Sequence, residues 1–344
     1  MGILRALKYP LWLAELATGA KAFSDNPLIG SPRLNAKGLH LRRVALADRM
    51  AARRRHAMRN LISEADRAAF DRDGFVAIEN FLPADDYKRL KDEILSNRFP
   101  AREMRQGNAV TRRIGLDNPD LRRFPGTARL IRDPRYQGLN RYAGSYDTAP
   151  ANAIQTIITD PAQGNPDPQT ALHADTFHST SKSWFFLQDI SDEDGPFQFV
   201  PGSHRLTERR RQWEYEQSLA AAGSAVRYHA RGSFRIRPEE LGELELPQPV
   251  AIAVPENTLV VADTHGFHSR VHSLKPTTRV EIYATLRRNP FLPWAGFSLL
   301  SLPGISGHQS RLYHAILDMT EKLGGKPSPL QKVGDLNPFD PAKR

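Results

Sequence analysis

The strongest constraint on the fold is a series of short, strand-like segments between residues 154 and 287. Each segment is rich in β-branched or aromatic side chains, and turn-forming residues separate most of them. Few helical patterns interrupt the series, which argues against a parallel sheet built from strand–helix–strand units. Antiparallel strands in a sandwich or barrel are therefore predicted for IQTIITD (154–160), SWFFLQDI (183–190), FQFVPG (197–202), PVAIAVP (249–255), NTLVVAD (257–263), RVHSL (270–274) and RVEIYATLR (279–287).

Helices flank this β region. Ser63 is a good cap for a helix that starts at residue 64, a strand is predicted over 74–81, and Pro83 opens a further helix. Between residues 100 and 150 we predict only a helix near 127–142. The long stretch 205–245 is predicted to be an insertion with one helix, which lies as a lid over one end of the barrel. No P-loop or GxGxxG motif supports a nucleotide-binding α/β fold.

Charge is concentrated at the N-terminus. The chain carries a net charge of +10 and has no cysteine, which excludes disulfides and thiolate metal sites. Residues 1–60 hold twelve Lys or Arg against three acidic residues, so the remaining body is nearly neutral. Helices are predicted over 3–17, with an interruption or kink at Pro10, and over 40–59. No segment is long and apolar enough to be a transmembrane helix.

Two interpretations of this basic arm (residues 1–60) remain open. An amphipathic, basic segment with Trp and Leu on one side is typical of helices that lie on anionic membrane surfaces. Alternatively, the apolar stripe packs on the main domain and the arginines form a solvated face. Nucleic-acid binding is not expected, because aromatic residues do not alternate with the arginines and the body lacks the charge to follow a phosphate backbone.

Seven histidines lie between residues 173 and 272, and they suggest a metal site. His173 and Asp175 are two residues apart, so on a strand both side chains face the same side. A third ligand can come from His265, His268 or His272. Two histidines and one carboxylate leave open positions on an octahedral ion, as in non-haem Fe(II) oxygenases. Arg279 opens the next strand, and its planar guanidinium suits a carboxylate.

The segments that carry a family resemblance are the HxD motif, GPFQFVPGSH, NTLVVAD, FHSRVHSLKPTTR and, near residue 70, FDRDGFVAIENFL. Through them the sequence resembles the phytanoyl-CoA dioxygenase family of Fe(II)/2-oxoglutarate oxygenases. The resemblance covers about residues 64–290. It implies a double-stranded β-helix, the jelly-roll or cupin-like barrel, so the fold class expected is mainly β with flanking helices and an N-terminal helical extension. The domains expected are the arm (1–60), the oxygenase domain (61–300), and a C-terminal helix and tail (301–344).

The same resemblance assigns roles to individual residues. His173, Asp175 and His268 would be the catalytic iron ligands, His268 being preferred because it stands eleven residues before Arg279. Arg279 would hold the far carboxylate of 2-oxoglutarate, and Trp184 would line the co-substrate pocket unless it only packs in the core. His204 is expected in a turn or near the site rather than on the metal.

Two further residues are candidates for substrate binding. Arg270 stands where the family commonly has a small residue, and strand alternation places it on the same face as His268. It would either reach an anionic substrate group or point outward. His178, five residues after His173, is expected near the mouth of the site.

The function implied is a dioxygenase that uses Fe(2+), 2-oxoglutarate and O2 to hydroxylate a C–H bond of a small or lipid-like substrate, with release of succinate and CO2. Asp175 favours hydroxylation over halogenation, since a halogenase needs that metal position for chloride. The alternatives are a non-redox metal-binding β-barrel and a membrane-surface adaptor with a vestigial oxygenase fold. We expect a cytoplasmic protein with peripheral contact to the inner membrane surface through residues 1–60.

Overall fold

Two antiparallel sheets form the centre of the molecule in a computed structural model, which describes residues 3–297, 302, 305 and 307–343. The major sheet has eight strands in the order β1-β8-β5-β10-β4-β3-β2-β11, and the minor sheet has three in the order β7-β6-β9. The strands, numbered in chain order, are β1 (Phe75–Ile78), β2 (Phe99–Gln106), β3 (Ala109–Gly115), β4 (Ala151–Thr159), β5 (Ser181–Phe186), β6 (Phe197–Phe199), β7 (Val250–Ala251), β8 (Leu259–Asp263), β9 (His268–Arg270), β10 (Thr277–Leu286) and β11 (Gln331–Leu336).

Helices surround the sheets and supply the N-terminal extension. Ser63 caps α4 through its side chain, as predicted, and Pro10 lies inside α1 without ending it. The helices are α1 (Ile3–Glu15), α2 (Pro32–Ala36), α3 (Leu39–Ala57), α4 (Glu64–Asp73), α5 (Ala84–Leu95), α6 (Asn118–Arg123), α7 (Pro125–Arg132), α8 (Pro134–Ala143), α9 (Glu208–Ala220), α10 (Arg227–Ala230) and α11 (Gln309–Lys322). The predicted mainly β fold with flanking helices is confirmed.

Several predicted boundaries are wrong. The helix predicted near 127–142 is two helices, α7 and α8, because Asp133 ends the first and caps the second, which Pro134 opens. The strand predicted over 270–274 ends at Arg270. Strands β2 and β3 were not predicted at all, and β11 pairs with β2 at the sheet edge.

Side-chain alternation along the strands separates two apolar cores. On β10, Val280 and Ile282 face outward into a core formed with the helices, which includes Leu90 and Leu130. The other face of the major sheet packs against the minor sheet, as the core that joins Trp184, Phe186, Val260 and Ala262 to Phe197 and Phe199 shows. Two sheets packed in this way form the jelly-roll barrel, and the inner residues of β10 line its interior.

The insertion at 205–245 is part of the barrel wall. Helix α9 packs against α2 and α3 of the arm, and its Trp213 joins a core with Phe23 and Phe234. The backbone of Phe234 and Ile236 hydrogen-bonds to the segment 172–174, so the end of the insertion adds an edge to the minor sheet. This segment therefore packs against both the arm and the minor sheet, and its role as a lid stays a prediction.

Arginines of the arm bind the body. Arg54 donates hydrogen bonds to the carbonyl oxygens of Ser145, Pro290 and Leu292, and it is buried. Arg55 bonds the carboxylate of buried Asp263 at 2.7 Å. Burial lowers the pKa of Arg43 and of Arg54 to about 10. The interpretation of these arginines as a solvated face is wrong for Arg43, Arg54 and Arg55, although Arg42, Arg49 and Arg53 are exposed.

Within the described part of the chain, no helix has the length and apolar character to cross a membrane.

Candidate metal centre

Backbone pairing brings the two halves of the predicted metal site together. The N–H groups of His173 and His268 each donate to the other's carbonyl oxygen, at 3.0 and 2.9 Å. This pair joins the segment 172–174 to β9, so the two imidazoles stand side by side, with ring centroids 4.5 Å apart. Asp175 follows two residues after His173, and its N–H donates to the carbonyl of Thr264.

The ligand atoms of His173, Asp175 and His268 all lie within 4.8 Å of one another. His173 Nε2 is 3.7 Å from Asp175 Oδ1, and His268 Nε2 is 3.7 Å from Asp175 Oδ2. Both histidines are buried, while the carboxylate is partly open to the cavity. His268 lies far from His173 and Asp175 in the sequence, and the fold brings all three side chains to one point.

Hydrogen bonds fix the tautomer of both imidazoles. His173 Nδ1 donates to the carbonyl of Ala171 at 2.8 Å, and His268 Nδ1 donates to that of Gly266 at 2.9 Å. Each Nε2 therefore presents a lone pair to Asp175, the arrangement found in metal-bound histidines. Among the described residues, none hydrogen-bonds His268 Nε2. A buried acceptor left in this way fits a metal ion.

Burial keeps both histidines neutral. It lowers the pKa of His268 to about 4 and holds that of His173 well below its usual value, with the neighbouring imidazole adding to the effect on His173. Neutral imidazole is the form that binds metals. The site is therefore ready to bind a divalent cation at neutral pH without releasing protons from these rings.

Two lysines contact Asp175, and no sequence pattern distinguishes them from other lysines. Lys182 on β5 places Nζ 2.5 Å from Asp175 Oδ2, and Lys21 of the arm donates to the backbone carbonyl of Asp175. Burial would raise the pKa of Asp175, but the ammonium of Lys182 outweighs burial and holds that pKa well below its usual value. Asp175 is consequently a carboxylate, as a hard metal ligand must be.

These ligands face a cavity of about 240 Å³ between the two sheets. Arg279 and Trp184, the predicted co-substrate residues, line it, and so does Arg270. Trp184 packs on Phe197 with ring centroids 4.3 Å apart and meets Tyr283 edge-on. The tryptophan thus lines the pocket and packs in the core at the same time.

Arg279 is buried at the end of this cavity. Its Nη1 donates to the carbonyl of Gly195, and its Nε lies 3.3 Å from the carboxylate of Glu281. Glu281 is fully buried on the same face of β10, where it accepts a hydrogen bond from Gln155. A co-substrate carboxylate that binds Arg279 would therefore meet a second carboxylate nearby.

The two predicted substrate residues differ in their positions. Arg270 faces the cavity, as strand alternation predicted, but its guanidinium binds the buried carboxylate of Asp167 at 2.7 Å. His178 does not line the cavity. It is buried beside Phe177 at the arm, where a Cβ on Gly19 would lie 3.1 Å from His178 Nε2.

The remaining histidines lie away from the triad. His265 donates from Nδ1 to the carbonyl of Thr176, and His272 lines a smaller cavity of about 140 Å³ on the far side of Arg279. His204 packs edge-on against Phe70.

Further cavity residues escaped prediction because no motif marks them as functional. Arg113 on β3 lies over the Tyr283 ring, its Cζ 3.6 Å from the centroid, and it lines the cavity together with Gln155. Period-two alternation through TRRIG would have placed Thr111 and Arg113 on one face, but only once 109–115 had been recognised as a strand.

A jelly-roll barrel that brings two histidines and a carboxylate to an arginine-lined cavity defines the class of non-haem iron oxygenases that use 2-oxoglutarate. The family model of phytanoyl-CoA dioxygenase (PhyH) matches residues 70–239, so this part of the chain is a domain of that family. The match includes His173 and Asp175, whereas His268 and Arg279 lie beyond it and join the site through the strand pairing above. The protein is thus a 2-oxoglutarate-dependent non-haem iron oxygenase, and its cofactors are Fe(2+) and 2-oxoglutarate.

Similar solved structures include the 2-oxoglutarate-dependent epimerase SnoN from nogalamycin biosynthesis, with 18% identity, a TM-score of 0.40, and coverage of 64% of this chain and 80% of that one. HygX from Streptomyces hygroscopicus, solved with nickel and 2-oxoglutarate, has 17% identity and a TM-score of 0.41, covering 72% and 94%. EctD from S. alaskensis, solved with 2-oxoglutarate and 5-hydroxyectoine, has 18% identity and a TM-score of 0.39, covering 65% and 76%. No curated protein matches the sequence.

Proposed function

We propose that this protein hydroxylates a C–H bond of a small or lipid-like molecule. In the overall reaction, substrate, 2-oxoglutarate and O2 give the hydroxylated product, succinate and CO2. The observation that carries the proposal is the convergence of His173, Asp175 and His268, with both Nε2 atoms directed at one carboxylate.

Three side chains would hold the metal. The two imidazoles are neutral and oriented by carbonyl groups, and Asp175 supplies the one anionic ligand. Iron, when bound here with 2-oxoglutarate, supplies the activation of O2 that oxidises the substrate. Because only three protein ligands converge, positions remain for the co-substrate and for O2.

The cavity wall would orient the co-substrate and exclude water. Arg279 would bind the far carboxylate of 2-oxoglutarate through its planar guanidinium. The aromatic side chains of Trp184, Phe197 and Tyr283 form an apolar wall beside it. Excluding water from this cavity strengthens the charge interactions within it and protects reactive groups from side reactions.

The proposal is tested by adding Fe(II) and 2-oxoglutarate to the protein without oxygen. We expect a visible metal-to-ligand charge-transfer band in the wild type, no band in H173A, and a full band in the matched control H272A. After oxygen is admitted, the wild type should release succinate. The absence of the band from the wild type, or an unchanged band in H173A, would contradict the proposal.

Peripheral membrane contact is a separate proposal, and helix α1 supports it. Tyr9, Leu11 and Leu13 of this helix are 47%, 59% and 58% exposed, an unusual state for large apolar side chains. Lys8 is exposed beside them, and an anionic bilayer would accommodate both kinds of side chain. Since Arg54 and Arg55 of the arm bind the body, we assign the contact to α1 rather than to the whole arm.

A further inference from the structure

A second, larger chamber adjoins the metal cavity. Its volume is about 950 Å³, and the arm, strand β2 and the insertion form its walls. Met104 and Gln106 line both spaces, so they form the common border. Gln106 donates to the hydroxyl of Tyr228 at 2.9 Å, which ties β2 to the insertion at this border.

The arm forms one wall of this chamber and contacts the insertion there. Ser24 N–H donates to the carbonyl of Ala230, and a Cβ on Gly232 would lie 2.1 Å from the carbonyl oxygen of Lys21. The chain at Gly232 adopts a φ of +75°, which favours glycine. Because Lys21 also bonds the backbone of Asp175, one segment of the arm touches both the metal centre and the chamber.

The chamber is needed because the metal cavity is small. A volume of about 240 Å³ lies below the roughly 300–1,000 Å³ that holds a typical organic ligand, and 2-oxoglutarate would take part of it. The larger chamber falls within that range. A substrate that presents one C–H group to the metal would therefore keep most of its body in the chamber.

The chemistry of the walls indicates an amphiphilic anion. Apolar surface comes from Ala20, Ala22, Ile29 and Met104, among others. The charged lining comprises four basic and three acidic side chains, and one acid, Glu103, is fully buried and bound by Arg112 at 2.6 Å. The net charge of the lining is therefore positive.

Two arginines of the insertion are placed to receive an anionic group. Arg227 and Arg231 both line the chamber, and the only ion pair of Arg231 among the described residues is a long contact of 3.9 Å with Asp25. An arginine without a close carboxylate can bind an incoming carboxylate or phosphate through its planar fork.

We propose that this chamber binds the body of an amphiphilic, anionic substrate, with Arg227 and Arg231 holding its carboxylate or phosphate and with Met104 and Gln106 bordering the path to the metal. The inference rests on the proposed oxygenase function. It makes residues 19–29 of the arm part of the substrate site.

Calorimetry on the full chain, loaded with Mn²⁺ and 2-oxoglutarate, tests this proposal. The probes are decanoate, decyl phosphate and neutral decan-1-ol. We expect the anions to bind more tightly than the alcohol, and R227E/R231E to weaken the tighter anion at least about tenfold without changing decanol. A22W, which fills the chamber, should weaken all three probes. Whether decanoate or decyl phosphate binds more tightly shows which anionic group, carboxylate or phosphate, the chamber prefers.

The control R42E/R49E makes the same change in net charge on an exposed face of α3, and it should leave all affinities unchanged. Equal loss in this control, equal binding of decanol and the anions, or an unchanged affinity in A22W would overturn the proposal. Binding of Mn²⁺ and 2-oxoglutarate to the parent protein distinguishes a failure of the chamber proposal from a failure of the oxygenase function. If the parent binds neither, the oxygenase function itself fails.

Discussion

At the residue scale, the contact between Lys182 and Asp175 has the largest consequence for metal binding. The ammonium occupies one oxygen of the only anionic metal ligand, at 2.5 Å. An incoming divalent cation must therefore compete with an existing positive charge or share the carboxylate with it. Lys182 also leaves the other oxygen, Oδ1, free beside His173 Nε2.

Replacing Lys182 should strengthen metal binding and lower the stability of the metal-free protein. In K182M the carboxylate of Asp175 loses its close cation, so we expect the metal-free melting temperature to fall and the Mn²⁺ affinity to rise about tenfold, ~1.4 kcal/mol. Mn²⁺ titration followed by electron paramagnetic resonance measures the affinity. The control K88M removes an exposed lysine and should change neither quantity. Weaker Mn²⁺ binding in K182M would contradict the argument.

Glu281 should oppose the co-substrate. Its buried carboxylate lies 3.3 Å from Arg279 Nε, so a bound 2-oxoglutarate carboxylate would experience like-charge repulsion. We expect E281Q to lower the Kd for 2-oxoglutarate several-fold and R279M to raise it strongly, measured calorimetrically with Mn²⁺-loaded protein. E79Q, at an exposed site, should behave as the wild type. A higher Kd in E281Q would show that the carboxylate positions Arg279 rather than opposing the ligand.

The sequence identified the residues of the site better than their surroundings. The HxD spacing indicated His173 and Asp175, and the family resemblance, through the interval between His268 and Arg279, indicated the third residue that the fold brings to them. Lys182, Lys21 and Glu281 are ordinary charged residues in sequence, and only packing shows that they contact Asp175 and Arg279. Arg270 shows the converse, because its face was predictable but its partner, Asp167, lies 103 positions away in the chain.

At the scale of elements, apolar strands were predictable and polar strands were not. Strands β5, β8 and β10 are largely buried on both faces, and each contains aromatic or β-branched residues that predict a strand. Strand β3 has charged residues on both faces. Arg113 points into the cavity, and Arg112, on the other face, binds carbonyl groups of the C-terminal tail, at Asn337, Pro338, Asp340 and Pro341. No local pattern of hydrophobicity reveals such a strand.

Helix α1 is the element for which membrane contact can be tested directly. L11E/L13E places two charges where exposed leucines would enter a bilayer, so we expect it to abolish sedimentation with vesicles of phosphatidylcholine and phosphatidylserine. The control L46E/L61E alters two exposed leucines outside α1, one in the arm and one directly after it, at 36% and 37% exposure. This control should sediment like the wild type. Equal loss in both variants, or no binding by the wild type, would refute the assignment to α1.

At the scale of the whole molecule, the excess positive charge has several distinct uses. Arg54 and Arg55 fasten the arm to the body. Arg43 hydrogen-bonds within the arm and lies over the Phe177 ring of the body, and Lys21 donates to the backbone carbonyl of Asp175. The exposed Arg42, Arg49 and Arg53 face solvent on α3. The arm is consequently an integral part of the fold, although its composition alone resembles a separate basic extension.

Buried neutral histidines should make the whole molecule sensitive to acid. Burial lowers the pKa of His204, and of His178, to about 3. The unfolded chain takes up these protons near pH 6.5, before the folded protein does. The contribution of these histidines to the free energy of unfolding is therefore fully present above that pH and is lost as the pH falls towards 3. Each such histidine contributes up to ~1.4 kcal/mol per pH unit in this window.

Urea unfolding of H204Q at pH 7, 6, 5 and 4 isolates one of these groups. Glutamine cannot take up a proton, so the free energy of unfolding should fall less steeply below pH 6 than in the wild type, by up to ~1.4 kcal/mol per pH unit. H56Q, at an exposed position, should keep the wild-type slope. Identical slopes in all three proteins would mean that His204 becomes protonated without opposing the fold, which its contact with Phe70 and its buried Nδ1 argue against.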